Sequence, residues 1–147
     1  MDKKMENMVL GIMKNHNILT LATLREDGYP QANTVTYAND GLTIYFSTAG
    51  DSQKVKNIKS CKKVSLTIDR NYEDWNKIKG LSMAATAEVL TNPDEIRKAM
   101  NCLVKKFPFL ADMPEPEEPI AVVKIMPKII SVLNYELGFG HTDLVEV

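Results

Sequence analysis

The feature that most constrains the fold is a series of short segments in which apolar and polar residues alternate between clusters of turn residues. An alternation with a period of two is typical of β-strands that bury one face. Turn residues 25–30 join the first two segments, and turn residues 39–41 join the second to the third. Connections this short force neighbouring strands to run antiparallel. The predicted strands cover residues 18–24, 31–38, 42–46, 63–69, 81–90, 120–125 and 128–135.

Three other segments repeat apolar residues at three- and four-residue steps, which is typical of amphipathic helices. We predict these helices at about residues 2–16, just after the turn at Gly50, and from residue 93 onward, where Pro93 suits the first turn. Because the strands do not alternate with helices, a parallel α/β sheet is not expected. The sequence therefore predicts an α+β protein in which six or seven antiparallel strands form a barrel with helices at its ends.

Three segments interrupt this regular pattern. Pro127 lies between two predicted strands, and because proline cannot donate a ladder hydrogen bond, it indicates a sheet edge or a bulge. Residues 70–80 form a polar loop containing Tyr72 and Trp75, which either covers a ligand or packs on the end of the barrel. We favour packing. Residues 138–143 are predicted to form a flexible tail.

The composition argues against several function classes. A chain of 147 residues is long enough for one sizeable core and too short for two, so we predict a single domain spanning residues 1–147. A formal net charge of −1 gives no general attraction to nucleic acid or to an anionic membrane. The apolar runs are too short for a membrane helix, and no signal-peptide core is seen, so a cytoplasmic location is expected. Cys61 and Cys102 lack metal-site spacing and are predicted to be free thiols.

A strand, a tight turn and a helix follow one another in residues 42–59. The strand ends in the hydroxyl side chains of Ser47 and Thr48, and Gly50 then breaks the alternation. The next residues include good helix caps, so the strand is predicted to lead directly into a helix N-terminus. We refer to this junction as the corner.

Such a corner suits an anion, because free backbone N–H groups and the positive end of the helix dipole both attract negative charge. Lys54 lies about one helical turn beyond the cap, so its ammonium group can reach the same anion as the hydroxyls of Ser47, Thr48 and Ser52. The carboxylate of Asp51 disfavours an anion unless it turns away to cap the helix, a role that Ser52 can also fill. An ordinary capped helix without a ligand is the alternative.

Four stretches of the chain carry recognisable motifs. They read I-L-T-L-A-T with D-G-Y-P-Q-A in the first hairpin, I-Y-F-S-T with S-Q-K and N-I at the corner, K-K-V-S-L-T-I in the next strand, and G-L-S-M-A-A-T-A-E-V-L after it. Together these motifs resemble the flavin-binding split-barrel superfamily of pyridoxamine 5′-phosphate oxidase. The likeness spans roughly residues 18–90, and it implies a split β-barrel of six to seven antiparallel strands with flanking helices.

The resemblance also implies that the chain binds FMN. In that family the residues of the corner hold the flavin phosphate, and the preceding strand runs along the ribityl chain and the ring. Such proteins are typically homodimers with the flavin in the interface, so the same assembly is expected here. The implied cofactor-binding residues are Asn33, Thr34, Val35 and Thr36 beside the ribityl chain and the ring, and Ser47, Thr48, Gln53 and Lys54 at the phosphate, to which the corner itself adds Ser52.

Departures from the family pattern argue against true pyridoxamine phosphate oxidation. Gln53 stands where the oxidase has an arginine, and Gly80 stands where it has a flavin-contacting glutamine. The oxidase also uses a tryptophan and arginines near its C-terminus. Here no tryptophan follows Trp75 and no arginine follows Arg97.

We therefore expect an FMN-dependent oxidoreductase that acts on an unidentified small-molecule substrate, electron donor or acceptor. No residue is a compelling catalytic acid or base, and Tyr135 and His141 become candidates only if the tail folds over the site. A flavin-binding protein without turnover, used for storage or redox sensing, is one alternative. The same barrel with a deazaflavin or haem is another, although His16 and His141 are the only histidines and neither sits in a haem motif.

Overall fold

The computed structural model describes all 147 residues, which form one antiparallel sheet of eight strands and three α-helices. This architecture confirms the predicted α+β split barrel with flanking helices. The helices are α1 (Lys3–Lys14), α2 (Gln53–Ser60) and α3 (Pro93–Lys106); the strands are β1 (Ile18–Leu24), β2 (Pro30–Thr36), β3 (Ala38–Asp40), β4 (Thr43–Ala49), β5 (Lys63–Ile68), β6 (Lys79–Val89), β7 (Ile120–Asn134) and β8 (Thr142–Glu146); short 3₁₀ helices lie at Trp75–Lys77, Pro108–Asp112 and Tyr135–Leu137.

The strand order explains why the sheet curls. Seven strands follow one another as β2-β1-β5-β6-β7-β4-β3, so β2 and β3 lie at the two edges. These edge strands are consecutive in the chain and are separated only by Tyr37. The sheet must therefore curl until its edges approach each other at this residue. The predicted strand at residues 31–38 is in fact two strands, because the chain bends at Tyr37 from one edge to the other.

Tyr37 lies at the seam between the two edges and is fully buried. Its hydroxyl donates to the backbone carbonyl of Met13, near the end of α1, at 2.6 Å. Burial raises the pKa of the Tyr37 phenol, so the hydroxyl keeps the proton that it donates. From α3, the ammonium group of Lys106 lies 4.0 Å from the centre of the Tyr37 ring and donates to the carbonyls of Met13 and His16. The seam is thus covered by the last turns of two helices.

β7 is the longest strand and pairs with β6 along most of its length. Before Pro127 its other side pairs with β4, and beyond Pro127 it pairs with β8. Its register with β6 shifts where Ala85 faces Pro127 and Ala84 faces Ile129, which leaves Lys128 as the extra residue. This irregularity confirms the bulge predicted from the proline.

The prediction of a flexible tail at residues 138–143 is wrong. The chain turns there and continues as β8, which pairs with the second half of β7 and packs Val145 against the core. Gly138 and Gly140 adopt φ values of 143° and 78°, which L-residues with side chains rarely adopt. These glycines therefore serve a defined chain reversal, although in the sequence they suggest flexibility.

α1 closes one end of the barrel, with its apolar face inward. Asp2 fixes the start of the helix, because its carboxylate accepts from the N–H group of Met5 at 2.7 Å. The helix ends two residues earlier than predicted, and His16 lies just beyond it with Nδ1 at 2.7 Å from the carbonyl oxygen of Ile12. The buried residues of α1 are Val9, Ile12 and Met13.

The connection between β5 and β6 packs only in part. The hydroxyl of Tyr72 donates to the carbonyl of Lys79 at 3.0 Å, so this side chain packs against the start of β6 as predicted. Trp75 does not pack, because 64% of its surface is exposed.

The seam can be tested with Tyr37→Phe, which removes one hydroxyl and keeps the ring. We expect the free energy of unfolding to fall by about 1–2 kcal/mol, because the carbonyl of Met13 loses a buried donor. Urea denaturation followed by circular dichroism measures the change. The control is Tyr29→Phe, since Tyr29 is 72% exposed and should tolerate the change. Equal losses in the two variants would contradict the role given to the seam.

Candidate functional site

The predicted corner lies where β4 ends and α2 begins. Gly50 lies in the turn between them, and its N–H group donates to the carbonyl oxygen of Pro119 at 3.0 Å. A Cβ atom at Gly50 would stand 3.1 Å from that same oxygen, so a side chain there would push the turn away from the start of β7. The N–H group of Ser52 donates to the carbonyl of Ala49 at 3.2 Å and completes the turn.

Ser52 occupies the N-cap position of α2, but its side chain makes no capping hydrogen bond. Its Oγ atom is buried and has no partner. The expectation that Asp51 or Ser52 caps this helix through its side chain is therefore wrong; Asp51 is exposed. The N–H groups of the first turn are left without a side-chain acceptor. Because buried polar groups without partners are costly, the corner is suited to an acceptor such as an anion.

Lys54 reaches back from the first turn of α2 to the end of β4. Its ammonium nitrogen donates to Oγ1 of Thr48 at 3.1 Å, and both residues are half-buried. The structure thus brings Thr48 and Lys54 together, with Ser52 two residues earlier in the chain. Ser47 is exposed, and because side chains alternate along a strand, it points to the opposite face of β4 from Thr48.

A buried amide network lies beneath the corner, and the periodic patterns of the sequence do not predict it. Asn57 of α2 is fully buried, and its Nδ2 atom donates to Oγ1 of Thr23 at 3.0 Å and to Oε1 of Gln31 at 3.2 Å. Gln53 joins this network, because its side-chain nitrogen donates to Oδ1 of Asn57 at 2.8 Å. The network fastens α2 to β1 and β2. The signal in the sequence is Thr23, a polar residue on the otherwise apolar buried face of β1.

β2 carries the residues implied for the ribityl chain and the ring. This strand pairs only with β1, so the other side of its backbone is unpaired. Val35 is buried in the core and Asn33 is half-buried, whereas Thr34 and Thr36 are exposed on the outer face. Asn33 lies on the same side of β2 as Gln31, two residues from the network under the corner. β2 therefore presents the hydroxyl groups of Thr34 and Thr36 and an unpaired backbone edge at the surface, where a ligand or another chain can bind. Val35 packs in the core instead.

Residues 5–133 match the family model described as pyridoxamine 5′-phosphate oxidase. The chain belongs to this family. General stress protein 26 of Bacillus subtilis (strain 168) is 23% identical over 126 residues, which cover 86% of each chain.

Two solved structures of low sequence identity share the family fold. The haem binding protein of Mycobacterium smegmatis gives a TM-score of 0.81 at 19% identity, over 99% of this chain and 59% of that one. A putative pyridoxamine 5′-phosphate oxidase of Listeria innocua gives a TM-score of 0.70 at 23% identity, over 88% of this chain and 98% of that one. The chain described here therefore spans less than two thirds of the Mycobacterium protein and nearly all of the Listeria protein.

Tyr135 and His141, the candidate catalytic residues near the C-terminus, lie beyond the end of β7 that is far from the corner. β7 begins beside Ala49, whereas Tyr135 follows its last residue and His141 precedes β8. Nε2 of His141 lies 3.0 Å from a carboxylate oxygen of Asp143. Tyr135 and His141 are thus not part of the corner of their own chain.

The cysteines, the possible metal ligands and the helices bear on other kinds of site. Cys61 and Cys102 are free thiols, as predicted. No group of three or more histidine, cysteine, aspartate or glutamate side chains could hold a metal ion. None of the helices combines the length and the apolar character that crossing a membrane requires.

The amide network predicts a stability effect. Asn57→Ala should lower the free energy of unfolding by about 1–3 kcal/mol, because it leaves the buried hydroxyl of Thr23 and the amide groups of Gln31 and Gln53 with fewer partners. Thermal and urea denaturation measure the loss. Asn101→Ala is the matched control, since Asn101 is an exposed asparagine in α3. If Asn57→Ala is no more destabilising than this control, the network does not fasten α2 to the sheet.

Proposed function

We propose that this protein is an FMN-binding flavoprotein that acts as an oxidoreductase on a small molecule, with a homodimer as the working unit. The observation that carries the proposal is the corner. It combines the buried, unpartnered Oγ of Ser52, the uncapped first turn of α2 and the ammonium group of Lys54 beside Thr48. A phosphate group supplies acceptors for all of these donors at once.

The residues present fit the phosphate of FMN, though with few charges. Lys54 and the backbone N–H groups of α2 would hold it, with the hydroxyls of Ser52 and Thr48 as further donors. Ser47 would contribute only from the exposed face of β4. Gln53 would contribute through its backbone N–H, because its side-chain nitrogen is bonded to Asn57. The corner therefore depends on one lysine and on backbone donors, where the oxidase adds an arginine.

β2 supports the placement of the ribityl chain and the ring. Thr34 and Thr36 present hydroxyl groups on its outer face, Asn33 is half-buried, and the unpaired backbone edge provides further donors and acceptors. Val35 would shape the site from the core side. When FMN is bound it supplies the electron transfer, while these residues bind it, orient it and exclude water. A deazaflavin would place similar demands on this strand.

The exposed apolar side chains of β7 and β8 support the proposed homodimer. Ile129 is 40% exposed and Leu144 is 72% exposed, and they lie on neighbouring strands of the sheet. Met126, which is 41% exposed, precedes the bulge in β7. Apolar side chains that cluster on a surface are typical of an interface.

The proposed homodimer can be tested by size-exclusion chromatography with light scattering, which should give about twice the mass of one chain. A monomer that binds flavin fully would contradict the proposed homodimer.

Lys54→Ala tests the phosphate contact. Loss of one charged partner should weaken FMN binding by about 1.5–3 kcal/mol, or roughly 10- to 150-fold in Kd. Quenching of flavin fluorescence on titration with the protein measures Kd. Lys56→Ala is the control, because Lys56 lies on the same helix and is exposed. If both variants bind FMN like the parent protein, the phosphate does not sit at the corner.

An absorption spectrum separates the candidate cofactors. Flavin bands that bleach with dithionite or with a nicotinamide cofactor would support the oxidoreductase, whereas bound flavin without consumption of an electron donor would favour storage or redox sensing. The structural likeness to a haem binding protein makes haem the second candidate. A histidine ligand for its iron would be His16, whose Nδ1 is bonded within α1, or His141, which is paired with Asp143. A Soret band that disappears in His141→Ala would replace the flavin proposal with haem.

A further inference from the structure

We propose a second binding site, for a small hydroxylated anion, in a cavity of about 470 Å³ between α1 and the start of β6. The corner contacts β1 through Thr23, near the end of that strand, whereas His16 of the cavity wall precedes its first residue. The two sites therefore lie at opposite ends of β1. The cavity has a volume typical of small-molecule sites.

The charges around this cavity favour an anion. Lys4, Arg70 and Lys79 line it, and no carboxylate does. Such a local excess of positive charge is unexpected in a chain whose formal net charge is −1. Glu136 compensates part of it from outside the lining, because its carboxylate lies 3.3 Å from the ammonium group of Lys79. Lys4 and Arg70 have no such partner and supply the uncompensated charge.

One of the cationic side chains, Arg70, is exposed and packs against an aromatic neighbour. The guanidinium group of Arg70 lies 5.0 Å from the centre of the Tyr72 ring, an arrangement that restricts its motion. Tyr72 is itself fixed, because its hydroxyl donates to the backbone carbonyl of Lys79 at 3.0 Å. A binding group that is positioned in advance loses less entropy when it meets a ligand. Tyr72 is therefore a positioning residue for Arg70.

His16 adds a requirement for a donor on the ligand. Only 7% of this residue is exposed, and Nδ1 lies 2.7 Å from the carbonyl oxygen of Ile12. Because a carbonyl oxygen can only accept, Nδ1 carries a proton, and Nε2 is an acceptor whenever the ring is neutral. Nε2 is buried and has no partner. A ligand that offers acid oxygens to Arg70 and a hydroxyl to His16 would satisfy both, so the class is a small hydroxy acid or a phosphate ester with a free hydroxyl.

Isothermal titration of the purified full-length protein with matched anions tests the proposal. Citrate carries a hydroxyl that tricarballylate lacks, and glycerol 3-phosphate replaces the carboxylates with a phosphate. We expect citrate or glycerol 3-phosphate to bind, and which of the two binds shows whether the site takes a carboxylate or a phosphate. We expect tricarballylate, which lacks the hydroxyl, to bind more weakly than citrate. Arg70→Gln should weaken binding about tenfold or more, because it removes a charge-assisted hydrogen bond. Arg97→Gln is the control, since Arg97 lies on α3 and pairs with Asp94.

Histidine NMR gives a second readout, because the chain contains only His16 and His141. The ring signals of His16 should shift on addition of the anion, and those of His141 should not. The proposal is overturned if neither citrate nor glycerol 3-phosphate binds, if Arg70→Gln and Arg97→Gln act alike, or if only His141 responds. Loss of anion binding in Lys54→Gln would place the anion at the corner instead. Flavin absorbance in Arg70→Gln should match that of the parent protein, so this test stands apart from that of the proposed function.

Discussion

The barrel depends on how its seam is closed without a ladder of hydrogen bonds. β2 and β3 are one stretch of chain bent at Tyr37, so the two edges of the sheet meet at a side chain. That side chain is tied to α1 through Met13, and Lys106 of α3 lies over its ring. Burial lowers the pKa of Lys106, while contact with the ring and with two carbonyls favours its charged form. Two helices that are distant in sequence therefore stabilise the seam together.

The two ends of the barrel differ because the helices that close them differ. α1 fills its end with Val9, Ile12 and Met13, and these apolar side chains join the main core. α2 has only eight residues, and Asn57 is among the few that it buries. The polar groups that bond to Asn57 keep this short helix in place, but its first turn is left without a cap. The end that α2 covers is thus the end that carries the uncapped donors of the corner.

The periodic patterns predicted the strands and helices well, because alternation and three- to four-residue repeats directly reflect which face is buried. The bulge at Pro127 followed from the chemistry of one residue. Three features did not follow. No glycine or proline marks the bend at Tyr37, β8 is preceded by glycines that suggest flexibility, and the Asn57 network joins residues 34 and 26 positions apart. Contacts of that kind depend on tertiary packing, which local patterns do not encode.

The two positions that depart from the oxidase pattern have structural roles here. At Gly80 a Cβ atom would lie 3.2 Å from the carbonyl oxygen of Ile68, so the close approach of β5 and β6 leaves little room for a side chain. At Gln53 the side chain bonds to Asn57 and through it to Gln31 on β2. Gln53 brings no positive charge to the corner, whereas an arginine would. Its hydrogen bond to Asn57 instead joins the first turn of α2 to β2, the strand that carries Asn33. In the proposed flavoprotein, phosphate binding and the position of the ring strand would therefore be linked through a buried amide rather than through a second cation.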